Sequence, residues 1–350
     1  DHKNKVKIQT MNDKFFHYCL VILTGIIIFI DNGGFVLFVE SFSSSGGNDG
    51  STRKTVVTYG PSARELILLT SKLAAKDGYE SFCICAPGQE GKSRQLMYGS
   101  DDENENENDS VTMDTNTNTD TDTSIGDEQP QQRRAIPVSS PEDIQNALTK
   151  ANVLILVPYD QPIEEKALNT LLNTAGNDYL SKIVLISKMG VSGGGGGGFF
   201  GGGKSSKLLD SENKIRSICK SKNIDISIVR AGQLKGGGPG EPAENDCGLN
   251  KKYYNTILEL SEASVTMSHD RFTLGVDCSK GDSVDVPNIF TLLGTKASFE
   301  AAPYDTNRIN AAAAAVTAAN HNKPVEFSVG TQKSTALPSK EEWERIIKDM

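Results

Sequence analysis

A chain of 350 residues with a formal net charge of −9 has length enough for about two domains, but not all of it is core material. Eleven acidic residues and no basic one stand between Asp101 and Glu128. The rest of the chain is therefore close to neutral, at +2, without the clustered basic stripe that nucleic-acid binding requires. Six cysteines and four histidines are scattered, apart from Cys83 and Cys85 on one face of a predicted buried strand, so packed thiols are expected and a metal site is not.

Residues 1 to 52 read as a leader. Phe15 to Ile30 is a nearly unbroken apolar run behind Lys3, Lys5, Lys7 and Lys14, short for a membrane span and suited to a signal-peptide core. The apolar stretch resumes at Phe35 to Val39, so a retained anchor is one alternative, although Asp31 would then sit deep in lipid. Small or modest residues precede a cut after Ser41, and the stretch from Phe42 to Lys54 is rich in serine and glycine with Asp49 as its single acid. It resembles the bipartite leaders that take proteins through the secretory route into a complex plastid, with plain secretion as a further alternative. A membrane is expected as a partner only if this leader is retained.

The ordered chain begins with Thr55 to Tyr59, a β-branched strand that reaches Gly60-Pro61 and passes into a helix through Leu66, Leu69 and Leu73. Asp77-Gly78 ends that helix, and Ser81 to Cys85 is a second strand. Ala86-Pro87-Gly88 turns the chain into a loop holding Lys92 and Arg94. Residues 100 to 134 alternate acid, Asn and Thr and cannot offset the ~1–2 kcal/mol per residue lost on ordering, so a disordered insertion is expected. Order returns at Ala135 to Val138. Ser140-Pro141 starts a helix with a cap and a proline in its first turn, and Asn152 to Val157 is the most strand-like run. A helix from Ile163 to Thr174, a strand from Lys182 to Ser187, a helix from Ser205 to Ser221 and a strand from Ile224 to Val229 complete six strands alternating with helices.

Parallel strands need crossovers, and crossovers cover both faces, so the expected class is α/β: a doubly wound, Rossmann-type parallel sheet. One such domain spans 53–350, with a glycine-rich insertion at 192–204 and a small C-terminal lobe at 231–350 closing over the carboxyl ends of the strands, where ligands bind in such folds. In that lobe Tyr253 to Ala263 is a predicted helix, Phe272 to Val276 a strand, Ile309 to Asn320 an alanine-rich helix, Val325 to Val329 a strand and Ser339 to Asp349 a capped end helix. Gly198 to Ser205 matches the G-x4-G-K-[ST] phosphate loop. However, nine of the eleven residues from Gly193 to Gly203 are glycine, and the tract starts well after its strand, so composition accounts for the match and a flexible linker is the reading.

Three stretches in order carry a family likeness: Thr58 to Ile67; Lys182 to Val191 with Glu212 to Gly240; and Asn307 to Ala319 with Lys323 to Gly330. Together they resemble the atypical short-chain dehydrogenase/reductases, in the NmrA-like branch of NAD(P)-binding proteins. The resemblance implies a dinucleotide with its phosphates at Gly60, Ser62, Ala63 and Arg64, Pro158 and Ser187 lining the nicotinamide side, and Arg230-Ala231-Gly232 as the wall before the substrate lobe. No acid ends the second strand, and Arg64, Lys92 and Arg94 lie nearby, which favours NADP over NAD, with ordinary surface cations as the alternative. The family's second and third glycines are replaced by Ala63 and Leu66. Its Tyr-x3-Lys pair is missing, since none of the nine tyrosines has lysine four residues on. Lys214 is a weak substitute as proton donor, against the plainer reading of a solvated helix cation. The expected function is NADPH-dependent reduction of an unknown small molecule; the alternative is a non-catalytic scaffold or assembly factor presenting its surface to a protein partner.

Overall fold

The computed structural model describes residues 53–99, 133–176, 179–192, 202–237, 247–250, 274–282, 305–332, 334 and 336–350. The leader, nearly all of the acidic insertion, most of the glycine tract and the helix expected at Tyr253 to Ala263 lie outside the described residues.

Strands β1 (Thr55–Tyr59), β2 (Glu80–Ile84), β3 (Ile136–Val138), β4 (Val153–Leu156), β5 (Lys182–Lys188) and β6 (Asp225–Ala231) alternate with helices α1 (Arg64–Lys76), α2 (Glu90–Tyr98), α3 (Pro141–Thr149), α4 (Glu165–Ala175) and α5 (Gly202–Lys222). The C-terminal part adds β7 (Gln233–Lys235), β8 (Gly275–Lys280), β9 (Asp305–Asn307), α6 (Arg308–Asn320), β10 (Glu326–Gln332) and α7 (Lys340–Lys348). The main sheet has the order β3-β2-β1-β4-β5-β6-β10-β8, parallel throughout except for β8 against β10. Val56 pairs with Val153 and Val57 with Leu154, running the same way. The strand order reverses between β1 and β4, which makes that junction the topological switch point of a Rossmann-type fold.

Two apolar layers enclose the sheet. On one side Val56, Ile155, Val184, Val229 and Phe327 pack under α1, α6 and Trp343 of α7; on the other Val57, Leu154, Ile183, Leu185 and Ile228 pack under α3, α4 and Ile215 and Cys219 of α5. Successive strand residues point to opposite faces, so both faces must be covered and the strands read as continuous apolar runs. Helix α1 is buried along nearly its whole length from Leu66 to Ala75 because α6 lies over it, and the alanines of α6 let the two backbones approach. Ser140 caps α3 and Ser339 with Glu342 forms a capping box on α7, as the sequence indicates.

The stretch holding Lys92 and Arg94, expected as a loop, is helix α2, whose Ser93 and Met97 are buried. The C-terminal part divides. Strand β10 extends the parallel sheet beyond β6, α6 and α7 join one helical layer, and β7 with β9 forms a separate two-stranded parallel sheet. Alanine content alone marked α6 as helix; it did not say that the helix belongs to the core.

Candidate functional site

The switch point is built around Gly60. A Cβ added there would stand 2.5 Å from the carbonyl oxygen of Val157 and 2.9 Å from its Cβ, so the first turn presses directly on the chain leaving β4 and admits no side chain. After Pro61 and Ser62 the backbone turns through Ala63 in the left-handed region, φ 57° and ψ 50°, and α1 begins with no side-chain cap. The Leu66 and Ile67 N–H groups turn back to the Ala63 carbonyl at 2.9 and 3.1 Å, and no side chain caps the helix start, an end that favours a negative group. The Ser62 hydroxyl accepts from the Asp160 N–H at 3.4 Å and ties this turn to the end of β4. Leu66, where a dinucleotide-binding fingerprint has its third glycine, is fully buried among the core residues of α1, so its bulk goes into the helix–sheet interface and not into the turn.

Two hollows flank the turn. The smaller, about 60 Å³, lies between β1, β2 and α2 and is lined by Gly60, Ser62, Arg64, Ala86 and Ser93. Arg64 closes it by donating to Ser93 Oγ at 3.3 Å. The larger, about 710 Å³, lies beyond the ends of β4, β5 and β6 and is lined by residues that include Ala63, Glu65, Tyr159, Lys188, Gly232 and Arg308. Tyr159 is buried, donates its hydroxyl to the Gly232 carbonyl and accepts from the Leu234 N–H at 3.1 Å. Burial pushes its pKa up to about 12 against the opposing Leu234 hydrogen bond, so the phenol stays protonated at neutral pH. Lys188 Nζ stands 5.4 Å from the Tyr159 ring centre and 3.4 Å from Asp160.

Of the residues expected to bind cofactor, Gly60, Ser62 and Arg64 line the smaller hollow, while Ala63 and Gly232 line the larger. Pro158 and Ala231 are buried beside the strand ends, and Arg94 is on the exposed face of α2. Ser187 and Arg230 go elsewhere. Strand alternation turns both toward α5, where Arg230, wholly buried, donates to Glu212 at 2.5 Å and to Glu326 at 2.6 Å, and Ser187 donates to Glu212. Asp282 stands 3.8 Å from Arg230 Nε and accepts from the N–H groups of Gly190 and Ser192 at 2.7 and 2.6 Å, which fixes the loop leaving β5. Burial works against the charge on Arg230, but the hydrogen bond and charge of Glu212, followed by Glu326 and Asp282, hold its pKa above the ordinary value. Lys214, also on α5, points away into solvent and pairs with Glu165 at 2.9 Å.

Tyr159, Lys188 and Arg308 line the larger hollow but escaped the sequence reading. Lys188 ends β5 and Tyr159 stands three residues beyond β4, and that position at the carboxyl edge is the signal that would have found them; Arg308 follows β9 of the separate small sheet, for which the sequence carried no strand signal. Among the described residues no group of three or more His, Cys, Asp and Glu side chains could hold a metal ion, and no helix is long and apolar enough to cross a membrane.

No family model matches the chain, and no curated protein matches it. Among solved structures it is similar to a short-chain dehydrogenase/reductase (wide type) from Veillonella parvula in complex with NADP, at 12% identity over 81% of this chain and 99% of that one, with a TM-score of 0.40. It is also similar to UDP-N-acetylglucosamine 4-epimerases from Methanobrevibacter ruminantium, at 10% identity over 80% and 78% of the two chains with a TM-score of 0.40, and from Bacillus cereus, at 12% over 84% and 83% with a TM-score of 0.37. At 10–12% identity none of them says what this chain binds. The doubly wound architecture stands on this chain's own strand order, and these likenesses do not single out the NmrA-like branch.

Proposed function

We propose that the chain binds a nicotinamide dinucleotide across the switch point, NADP in preference to NAD, and acts as a reductase of a small molecule. The observation that carries this is the turn from Gly60 to Arg64: a glycine with no room for a side chain, a left-handed residue and an uncapped helix start, set between two hollows at the carboxyl edge. The pyrophosphate would lie against the first N–H groups of α1, with the nicotinamide side toward Ala63 and Gly232 and the adenosine side toward Arg64. Arg64 is the cation best placed for a 2′-phosphate, since β2 ends without an acid. The dinucleotide would supply the hydride; this chain's own residues would bind and orient it. The Tyr159 hydroxyl is committed to Gly232 and Leu234, so Lys188, which also lines the larger hollow, would be the proton donor.

A second reading is a non-catalytic scaffold. It is favoured by the smaller hollow, whose 60 Å³ is far below the ~300–1,000 Å³ of ordinary ligand pockets. For adenosine to enter, α2 must move and the Arg64–Ser93 contact must open. Thermal denaturation with NADPH, with NADH and without nucleotide separates the readings. A ligand at 100 times its Kd that binds only the folded state adds ~2.7 kcal/mol. A larger shift with NADPH, reduced by Arg64→Ala, is the expected result; no shift with either nucleotide leaves the scaffold.

A further inference from the structure

Four charged side chains line the larger hollow: Glu65, Asp160, Lys188 and Arg308. Lys188 is answered by Asp160 at 3.4 Å. Arg308 is held differently. Its Nη1 donates to the neutral carbonyl of Gly236 at 2.6 Å, its Nε is buried without an acceptor, and among the described residues it forms no ion pair. The stem is gripped from the other side, because the left-handed Gly237, φ 115°, lies so close that a Cβ there would stand 3.3 Å from both Cβ and Cδ of Arg308. A half-buried guanidinium fixed at a cavity wall, with a neutral carbonyl as its one partner among the described residues, offers a positive charge there, and its planar fork of donors matches an oxyanion. That charge is felt across the hollow, where it opposes the effect of burial on the Tyr159 hydroxyl.

We propose that the larger hollow takes a small-molecule substrate bearing a carboxylate or phosphate group, and that Arg308 binds this oxyanion while the Tyr159 ring and Leu234 contact the apolar part. This rests on the dinucleotide reading, in which the nicotinamide takes the Ala63–Gly232 wall of the hollow and the substrate the rest, and it adds the substrate class.

The test follows the thermal denaturation of the full chain in malonate and in inorganic phosphate, each against sodium chloride of matched ionic strength, with NADPH run separately. The expected result is a rise of a few degrees with malonate, phosphate or both, none with chloride, and loss of that rise in Arg308→Gln while the NADPH shift survives. The anion that works tells a carboxylate from a phosphate substrate. If Arg308→Gln fails to fold, as judged by circular dichroism, Arg308→Lys takes its place and should weaken the anion's Kd about tenfold by losing the planar fork. No rise with either anion in the wild-type chain overturns the proposal; a persisting NADPH shift then leaves the dinucleotide reading intact. An anion effect that survives in the Arg308 variant overturns it as well. So does an Arg308 variant that loses the NADPH shift, since the arginine would then serve the cofactor's own phosphate.

Discussion

Two polar regions lie at the carboxyl edge of one sheet and treat their charges in opposite ways. On the α5 side, Arg230 is surrounded by Glu212, Glu326 and Asp282, and Ser187 adds a further hydrogen bond. At the β1–α1 turn, the N–H groups that open α1 have no side-chain cap, and among the described residues nearby Arg308 meets only a neutral carbonyl. The first region turns its charges on one another to join α5, β6, β10 and the turn after β8, although Arg230 Nε and Glu212 Oε2 are left without a hydrogen bond. The second leaves capacity open toward a cavity. Charged groups at a strand end are thus poor guides to a binding site until their partners are known.

The largest effect should come from breaking the closed region. Arg230→Met leaves Glu212, almost wholly buried, without its cation, and removing one partner of a buried pair costs ~3–5 kcal/mol. Urea denaturation should show that loss, and adding Glu212→Leu should restore much of it by removing the stranded carboxylate. If the double variant folds but has lost its NADPH shift, the α5 side is not merely structural and the contrast fails.

Next is the turn itself. Gly60→Ala brings a methyl to 2.5 Å from the Val157 carbonyl, a backbone group that cannot swing aside, so overpacking of ~1–3 kcal/mol is expected together with weaker NADPH binding. A variant with wild-type stability would mean that β1 and the end of β4 are less tightly joined than the geometry requires.

Glu326 supplies a smaller, pH-dependent effect. Burial raises its carboxyl pKa, but the hydrogen bonds and charges of Arg216 and Arg230 outweigh this and hold it below the ordinary value. A carboxyl whose folded pKa lies below the unfolded value of ~4.3 stabilises fully above that value, and the contribution fades as pH falls through the folded pKa. The urea midpoint should therefore drop below about pH 4.3, and Glu326→Gln should be less stable at neutral pH with a shallower acid limb. An unchanged acid limb in the variant would remove Glu326 from the cluster's energetics.

Much of this architecture was legible in the sequence, because strands covered on both faces read as apolar runs and the helices between them carry caps and turn signals. The pairing of Val56 with Val153 follows from that pattern. What stayed hidden depends on parity and on distant partners. Ser187 and Arg230 end strands as cleft residues would, but an odd–even step along β5 and β6 turns them to the α5 face. A carboxylate at Glu212, on the same stripe as Ile215 and Cys219, was the available clue. Arg308 stands one residue before the predicted alanine-rich helix of a lobe expected to close over the strand ends, but no strand was expected directly before it, so the lobe's place was legible and the residue was not.

The smallest expected effect bears most closely on the open region. Ala63 holds φ 57° and ψ 50°, where an L-residue bears ~1–2 kcal/mol of strain, while glycine there would add back ~0.5–1 kcal/mol through the freedom of the unfolded chain. Ala63→Gly should therefore stabilise the fold by ~0.5 kcal/mol and raise the melting temperature slightly. It also removes the one methyl at the position where dinucleotide-binding turns let backbone approach phosphate, so a bound dinucleotide should bind more tightly. Both gains together support a turn still fitted to a pyrophosphate. A gain in stability with no gain in NADPH affinity would leave the turn a relic of the fold, and a loss of stability would show that the left-handed step is not what shapes it.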